Sequence, residues 1–149
     1  MTRAHFIGAV IGALLLALPA HAKNEVPSPM LQEVLIKSTL LSLNDANLTG
    51  NYTVVHAKTA KPFREQISPD RMKEIFKTFV DKHIDWAIIA AKPPVNIKEP
   101  YIDDRGALIF DGYFDTQPNR VYYQLEFLPS EGKWKPIRLN VNVKPAGEK

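Results

Sequence analysis

The chain has no cysteine. That excludes disulfides, a lipidated cysteine, cysteine-ligated zinc and a thiol nucleophile. It also has no run of basic residues. Acids and bases alternate, the formal charge is only +3, and the electrostatic footprint of a nucleic-acid binder is missing. Past the N-terminus no apolar run is long enough to span a bilayer, so no transmembrane anchor is expected there. Also lacking are a glycine-rich phosphate loop, a serine-nucleophile motif and a paired catalytic carboxylate signature.

The first residues have the three parts of a cleavable signal peptide. Arg3 and His5 form a short basic stretch, Phe6 to Leu18 is apolar or glycine, and Pro19 precedes Ala20-His21-Ala22. The apolar run would rise roughly 20 Å as a helix, short of a bilayer core of about 30 Å. Residues 1–22 are therefore expected to be removed on export. Absence of disulfides in an exported chain favours the periplasm, with an extracellular destination as the alternative. What remains is sized for one domain. A polar leader (23–29) should precede a single α+β domain (30–145) and a short tail (146–149).

Helices come first. Leu31, Val34, Leu35, Leu41 and Leu43 mark one from Pro29 to about Asn47, with Gly50 as a left-handed cap. Asn51 caps a short helix from Tyr52 to Lys58, and 61–64 reads as a loop. Ser68-Pro69 opens a third helix whose stripe is Met72, Ile75, Phe76, Phe79 and Val80. Strands follow: Trp86–Ala91, Val95–Ile102, Ala107–Asp115, Arg120–Leu128 and Lys133–Val143. Short turns at 103–106, 116–119 and 129–132 make the last four an antiparallel meander.

The meander's register can be argued. Closing the turn at 116–119 sets Asp115 opposite Arg120, Tyr113 opposite Tyr122 and Gly112 opposite Tyr123. One face then carries Leu108, Phe110, Phe114, Val121, Tyr123, Leu125 and Phe127. The other carries Ile109, Asp111, Tyr113, Tyr122, Gln124 and Glu126. A one-residue slip would destroy that agreement. Gly112 opposite Tyr123 predicts a bend with the ring over the glycine. Trp134 and Ile137 differ in parity, which predicts a bulge at Lys135-Pro136.

This order, with Leu40-Leu41-Ser42-Leu43-Asn44-Asp45-Ala46-Asn47-Leu48-Thr49-Gly50-Asn51-Tyr52 at the helix junction and Gly106 to Val143 as terminal strands, resembles the nuclear-transport-factor-2-like fold, the cystatin-like cone, as found in exported bacterial proteins. The resemblance covers most of the chain after the signal segment. It implies helices packed on a strongly bent sheet of four to five strands. That superfamily holds isomerases, dehydratases, epoxide hydrolases and non-catalytic binding modules, so the fold does not select a function.

The residues rank the functions. Enzymes of the fold place carboxylates, tyrosines or histidines inside the cone, where burial shifts their pKa. Closing the turn at 103–106 puts Glu99 opposite Phe110. It is then either an inward general acid or base, or it is turned to solvent by Pro100, the favoured reading. His56 is the other catalytic candidate, exposed or at the cone mouth. Tyr101, Phe110, Tyr123 and Leu125 are the candidate cavity lining, although core aromatics explain the tyrosines more simply. His83 fits a helix C-terminus better than a metal site, and no metal or other cofactor is expected. The sequons at Asn47 and Asn51 are explained by helix capping. With at most one or two ionisable groups facing inward, the reading is an exported binding or scaffolding module holding an apolar small molecule in the cone. A cone enzyme of isomerase, dehydratase or hydrolase type is the alternative. So is an assembly domain acting through the outer face, where Ile109, Tyr113, Tyr122 and Gln124 are candidates for a homodimer interface.

Overall fold

The computed structural model describes residues 25–147. The expected signal peptide and the start of the leader lie outside the described residues, as do the last two residues of the tail. The architecture is α+β: helices first, then a four-stranded antiparallel sheet in the order β1-β2-β3-β4. Helix α1 spans Pro29–Thr49 and ends at Gly50, whose φ of 70° places it in the left-handed region and whose N–H donates to the Ala46 carbonyl. A side chain at Gly50 would pay a steric penalty for that conformation. Helix α2 (Thr53–Lys58) starts one residue later than expected, because Asn51 Oδ1 accepts from the Thr53 N–H at 3.0 Å.

Two helical expectations need correction. The segment expected as a loop contains α3 (Lys61–Gln66), with Pro62 in its first turn. The third helix is divided into α4 (Pro69–Ile75) and α5 (Lys77–Asp81), which meet at Phe76. Met72 and Phe76 are buried and Phe79 and Val80 half-buried, but Ile75 is exposed. The stripe located the buried face without showing that the backbone tightens at Phe76. Ser68 caps α4 as expected, its Oγ accepting from the Arg71 N–H at 3.1 Å.

The segment expected as a first strand is a 3-10 helix, Ala87–Ala91. Asp85 Oδ1 accepts from the Ala87 N–H and from Asn44 Nδ2, each at 2.8 Å. Asn44 Oδ1 in turn accepts from the Trp86 N–H at 3.0 Å, and the Trp86 indole donates to the Leu40 carbonyl at 2.9 Å. Buried Asn44 and Trp86 thereby fasten this segment to α1, leaving no strand to pair with the sheet.

The strands are β1 (Pro94–Ile102), β2 (Leu108–Phe114), β3 (Asn119–Ser130) and β4 (Lys133–Pro145). The β2–β3 register is the expected one: Gly112 faces Tyr123, and Tyr113 faces Tyr122. Asp115 and Arg120 form a 2.8 Å ion pair beside the turn. The bulge in β4 falls at Ile137, since Phe127 pairs with Pro136 and Glu126 with Arg138. This corrects the expected position by one residue. Ile137 is therefore the extra residue, while Leu139, Val141 and Val143 pair with the inward Leu125, Tyr123 and Val121.

Strand β1 departs most from the expectation. Asp103 Oδ1 accepts from the N–H groups of both Arg105 and Ala107 at 2.9 Å. This lengthens the turn by one residue and sets Ile102 against Leu108 and Tyr101 against Ile109. Further shifts lie between Asn96 and Lys98 and between Lys98 and Tyr101.

Candidate functional site

The inward face of the sheet is filled. Phe110, Tyr123 and Leu125, three of the expected cavity residues, are fully buried with Phe114, Phe127 and Trp86. Phe110 and Phe127 meet edge to face at 5.5 Å between centroids, and Phe114 and Tyr123 lie 5.6 Å apart. Such contacts occupy space a ligand would need. All three belong to the core cluster, and Phe110 and Leu125 also border, with Tyr101, a small hollow of about 120 Å³.

Tyr123 is nevertheless unusual. Its hydroxyl is buried without a hydrogen-bond partner among the described residues. Burial, with the Asp111 carboxylate as a smaller contribution, holds its pKa well above the ordinary tyrosine value. The hydroxyl lies 2.5 Å from where a Cβ on Gly112 would stand, and the Val95 carbonyl oxygen lies 2.4 Å from that point. Glycine at 112 is therefore required by a close approach of backbone and ring.

The remaining sequence candidates do not gather. Glu99 is exposed, in the irregular stretch of β1, which is the solvent-facing alternative. Tyr101 was expected to face inward, but the longer turn shifts its parity, and it is exposed beside Ile109 on the outer face. His56 is half-buried on α2, and its Nε2 sits 2.8 Å from the Ile67 carbonyl oxygen. That contact ties α2 to the approach to α4. His83 is exposed just past α5 with φ of 50°. Its N–H donates to Val80 O and the Ile84 N–H to Phe79 O, a left-handed helix cap. Among the described residues there is no group of three or more His, Cys, Asp or Glu side chains able to hold a metal ion. No helix among them is long and apolar enough to cross a membrane.

Open space lies elsewhere, between α1 and the β3–β4 hairpin. One cavity of about 520 Å³ is lined by Leu31, Leu35, Pro129, Gly132, Lys133 and Trp134. A second of about 520 Å³ shares Leu35, Lys133 and Trp134 with it and continues past Val34, Ser42, Val55, Phe127 and Pro136 to Lys58. The shared residues make one groove along α1. From Leu31 to Ser42 the helix rises roughly 16 Å. Val34 is 53% exposed and Met30, one turn before it, 79% exposed, an apolar lip that a solvated helix face would not need.

Neighbouring backbone contacts fix the far wall. The Ala60 N–H donates to the Pro136 carbonyl at 2.8 Å, and the Lys61 N–H donates to Ser130 Oγ at 3.1 Å. These join the α2–α3 corner to the hairpin. Sequence reasoning identified Trp134 as a residue to be buried and α1 as amphipathic. The groove escaped it, because the gap is set by segments far apart in the chain.

The outer face is more polar. A smaller hollow of about 230 Å³ there is lined by Ile97, Asp111, Tyr122, Gln124, Asn140, Asn142 and Lys144, together with Tyr123. Tyr113 and Tyr122 pair at 5.5 Å, with the Arg120 guanidinium 5.1 Å from the Tyr113 centroid and Lys144 Nζ 5.6 Å from that of Tyr122. Comparison with family models, with curated proteins and with solved structures returns no match.

Proposed function

We propose that this chain is an exported binding module of the cystatin-like cone type, and that it holds an apolar small molecule in the groove between α1 and the β3–β4 hairpin. One observation carries the reading. The interior side chains are buried against one another, whereas the groove is open, mostly apolar and of the volume that ligand sites commonly have. Binding rather than catalysis is favoured because Glu99 and His56, the candidate acid–base groups, are not lining residues of this groove.

The test is quenching of tryptophan fluorescence by a brominated long-chain hydrocarbon. The chain has only two tryptophans, and only Trp134 lines the groove. Saturable quenching that disappears in Trp134→Phe is the expected result. Quenching retained in that variant would place the ligand elsewhere and end this reading.

A homodimer through the outer sheet face is a second proposal. Tyr113, Tyr122, Ile109 and Gln124 form its centre, and the paired Asp115 and Arg120 offer both charges to a two-fold copy. Light scattering of Tyr113→Glu with Tyr122→Glu should show a folded monomer where the unmodified protein is a dimer. An unmodified protein that is monomeric at high concentration ends the proposal.

A further inference from the structure

We infer that the groove's ligand is a single-chain amphiphile with an anionic end, a free medium-chain fatty acid, held by Lys58 and Lys133. The inference rests on the groove being the binding site and adds the class of molecule it takes. Three lysines, Lys58, Lys133 and Lys135, line a cavity whose other residues are mainly apolar or small. No carboxylate is among the lining residues. Cations at the edge of an apolar trough match a molecule with one apolar arm and one negative end.

The lysines are not equivalent. Lys135 Nζ lies 3.1 Å from Glu131 Oε2. Glu131 also pairs with Arg64, and Arg64 first, then Lys135, holds its carboxyl below the usual carboxylate range. Lys135 is thus committed to the hairpin turn. Lys58 Nζ donates to Ser42 Oγ at 2.8 Å, a neutral partner that leaves its charge uncompensated. Lys133 forms no ion pair among the described residues. Lys58 on α2 and Lys133 on β4 thus line one trough, and neither is in an ion pair among the described residues.

The groove's length sets the length of the chain. Its run along α1 of roughly 16 Å fits an extended acyl chain of medium length. Lys133 is common to both cavities with Trp134 and Leu35, whereas Lys58 lines only the second, so the carboxylate would sit in the second cavity and the chain would pass Trp134 and Leu35 toward Leu31. A carboxylate reaching Lys58 and Lys133 would gain charge-assisted hydrogen bonds that an alcohol of equal length lacks.

Dodecanoate and 1-dodecanol, matched in length, separate this inference from the reading beneath it. The mature exported protein is titrated with each, and with phosphatidylglycerol vesicles. Dodecanoate should bind at least about tenfold more tightly than dodecanol, a difference of about 1.4 kcal/mol. Lys58→Gln with Lys133→Gln should abolish that difference by weakening dodecanoate alone. Lys92→Gln, an exposed lysine outside the groove, should leave it intact. Equal affinities, or a preference that survives the double substitution, would overturn the anionic end and leave an apolar groove. Binding of vesicles without binding of dodecanoate would overturn it in favour of a lipid surface. If neither amphiphile binds, the groove reading fails as well.

Discussion

The inner face of the sheet and the groove beside α1 are built from similar residues and have opposite uses. Both are lined by aromatic and aliphatic side chains. On the inner face Phe110, Phe114, Tyr123 and Phe127 are buried and their rings pack in pairs. In the groove Leu31, Leu35 and Trp134 border space that nothing fills. The difference comes from what faces each surface. Residues of α1 and Trp86 share one core cluster with the inner face, while α1 and the β3–β4 hairpin leave a gap between them. Apolar lining alone does not suggest a binding site; the proposal rests on apolar lining that borders open space.

Substitutions on the inner face should reduce stability because that face is full. Gly112→Val has the largest expected effect. Its Cβ would meet the Val95 carbonyl oxygen, a backbone atom that cannot rotate away. A cost of about 3 kcal/mol is expected, the upper end of ordinary overpacking, read from chemical denaturation. An unchanged midpoint would mean that the interior has slack and that the contrast with the groove is false.

Asn44→Ala comes next. It strips the Trp86 N–H of its acceptor and Asp85 of a donor. An unsatisfied buried donor costs about 1–3 kcal/mol, so about 2 kcal/mol is expected in the same assay. Binding in the groove should be unaffected, because Asn44 is not among its lining residues. A variant that loses binding while keeping its stability would show that the two regions are coupled.

Much of the inner face was legible in the sequence. Strands β2 and β3 alternate cleanly, and a short turn allows only one register that puts both apolar sets on the same side. Elsewhere the signal was weaker for identifiable reasons. Ala87 to Ala91 is a short apolar run, and such a run fits a strand or a buried turn of helix equally well. What decided it was Asp85 capping the segment from just before it. Tyr101 was misplaced because Asp103 lengthened its turn by one residue, and a single residue reverses parity. Pro100 was the visible warning of irregular pairing. The groove had no local signature, because it depends on how far a hairpin near residue 131 stands from a helix near residue 35.

Tyr123→Phe offers a smaller, opposite effect. Its hydroxyl is buried and unpartnered, so removing it should be neutral or stabilise by up to about 1 kcal/mol. A clear loss of stability would mean that the hydroxyl has a partner on the inner face, and that the interior is not simply packed. The smallest effect concerns acid. The Ala87 N–H, and then Asn44, lower the Asp85 pKa below its ordinary value. The stabilisation that follows is present above the ordinary carboxylate range and is lost as pH falls through the lowered value. Because Asp85 is exposed, the effect is slight. Asp85→Asn should flatten the acid limb of the stability curve, and a steeper limb would assign the titration to another group.

The two tryptophans allow both regions to be read in one spectrum. Trp86 is buried in the core and donates to the Leu40 carbonyl, whereas Trp134 borders the groove. Their indole N–H resonances can be assigned with Trp134→Phe and followed while dodecanoate is added to the protein. The Trp134 signal should move with saturable dependence on ligand, and the Trp86 signal should stay in place. Movement of Trp86 with Trp134 unchanged would show that the interior opens to the ligand, and would contradict a packed core beside an open groove.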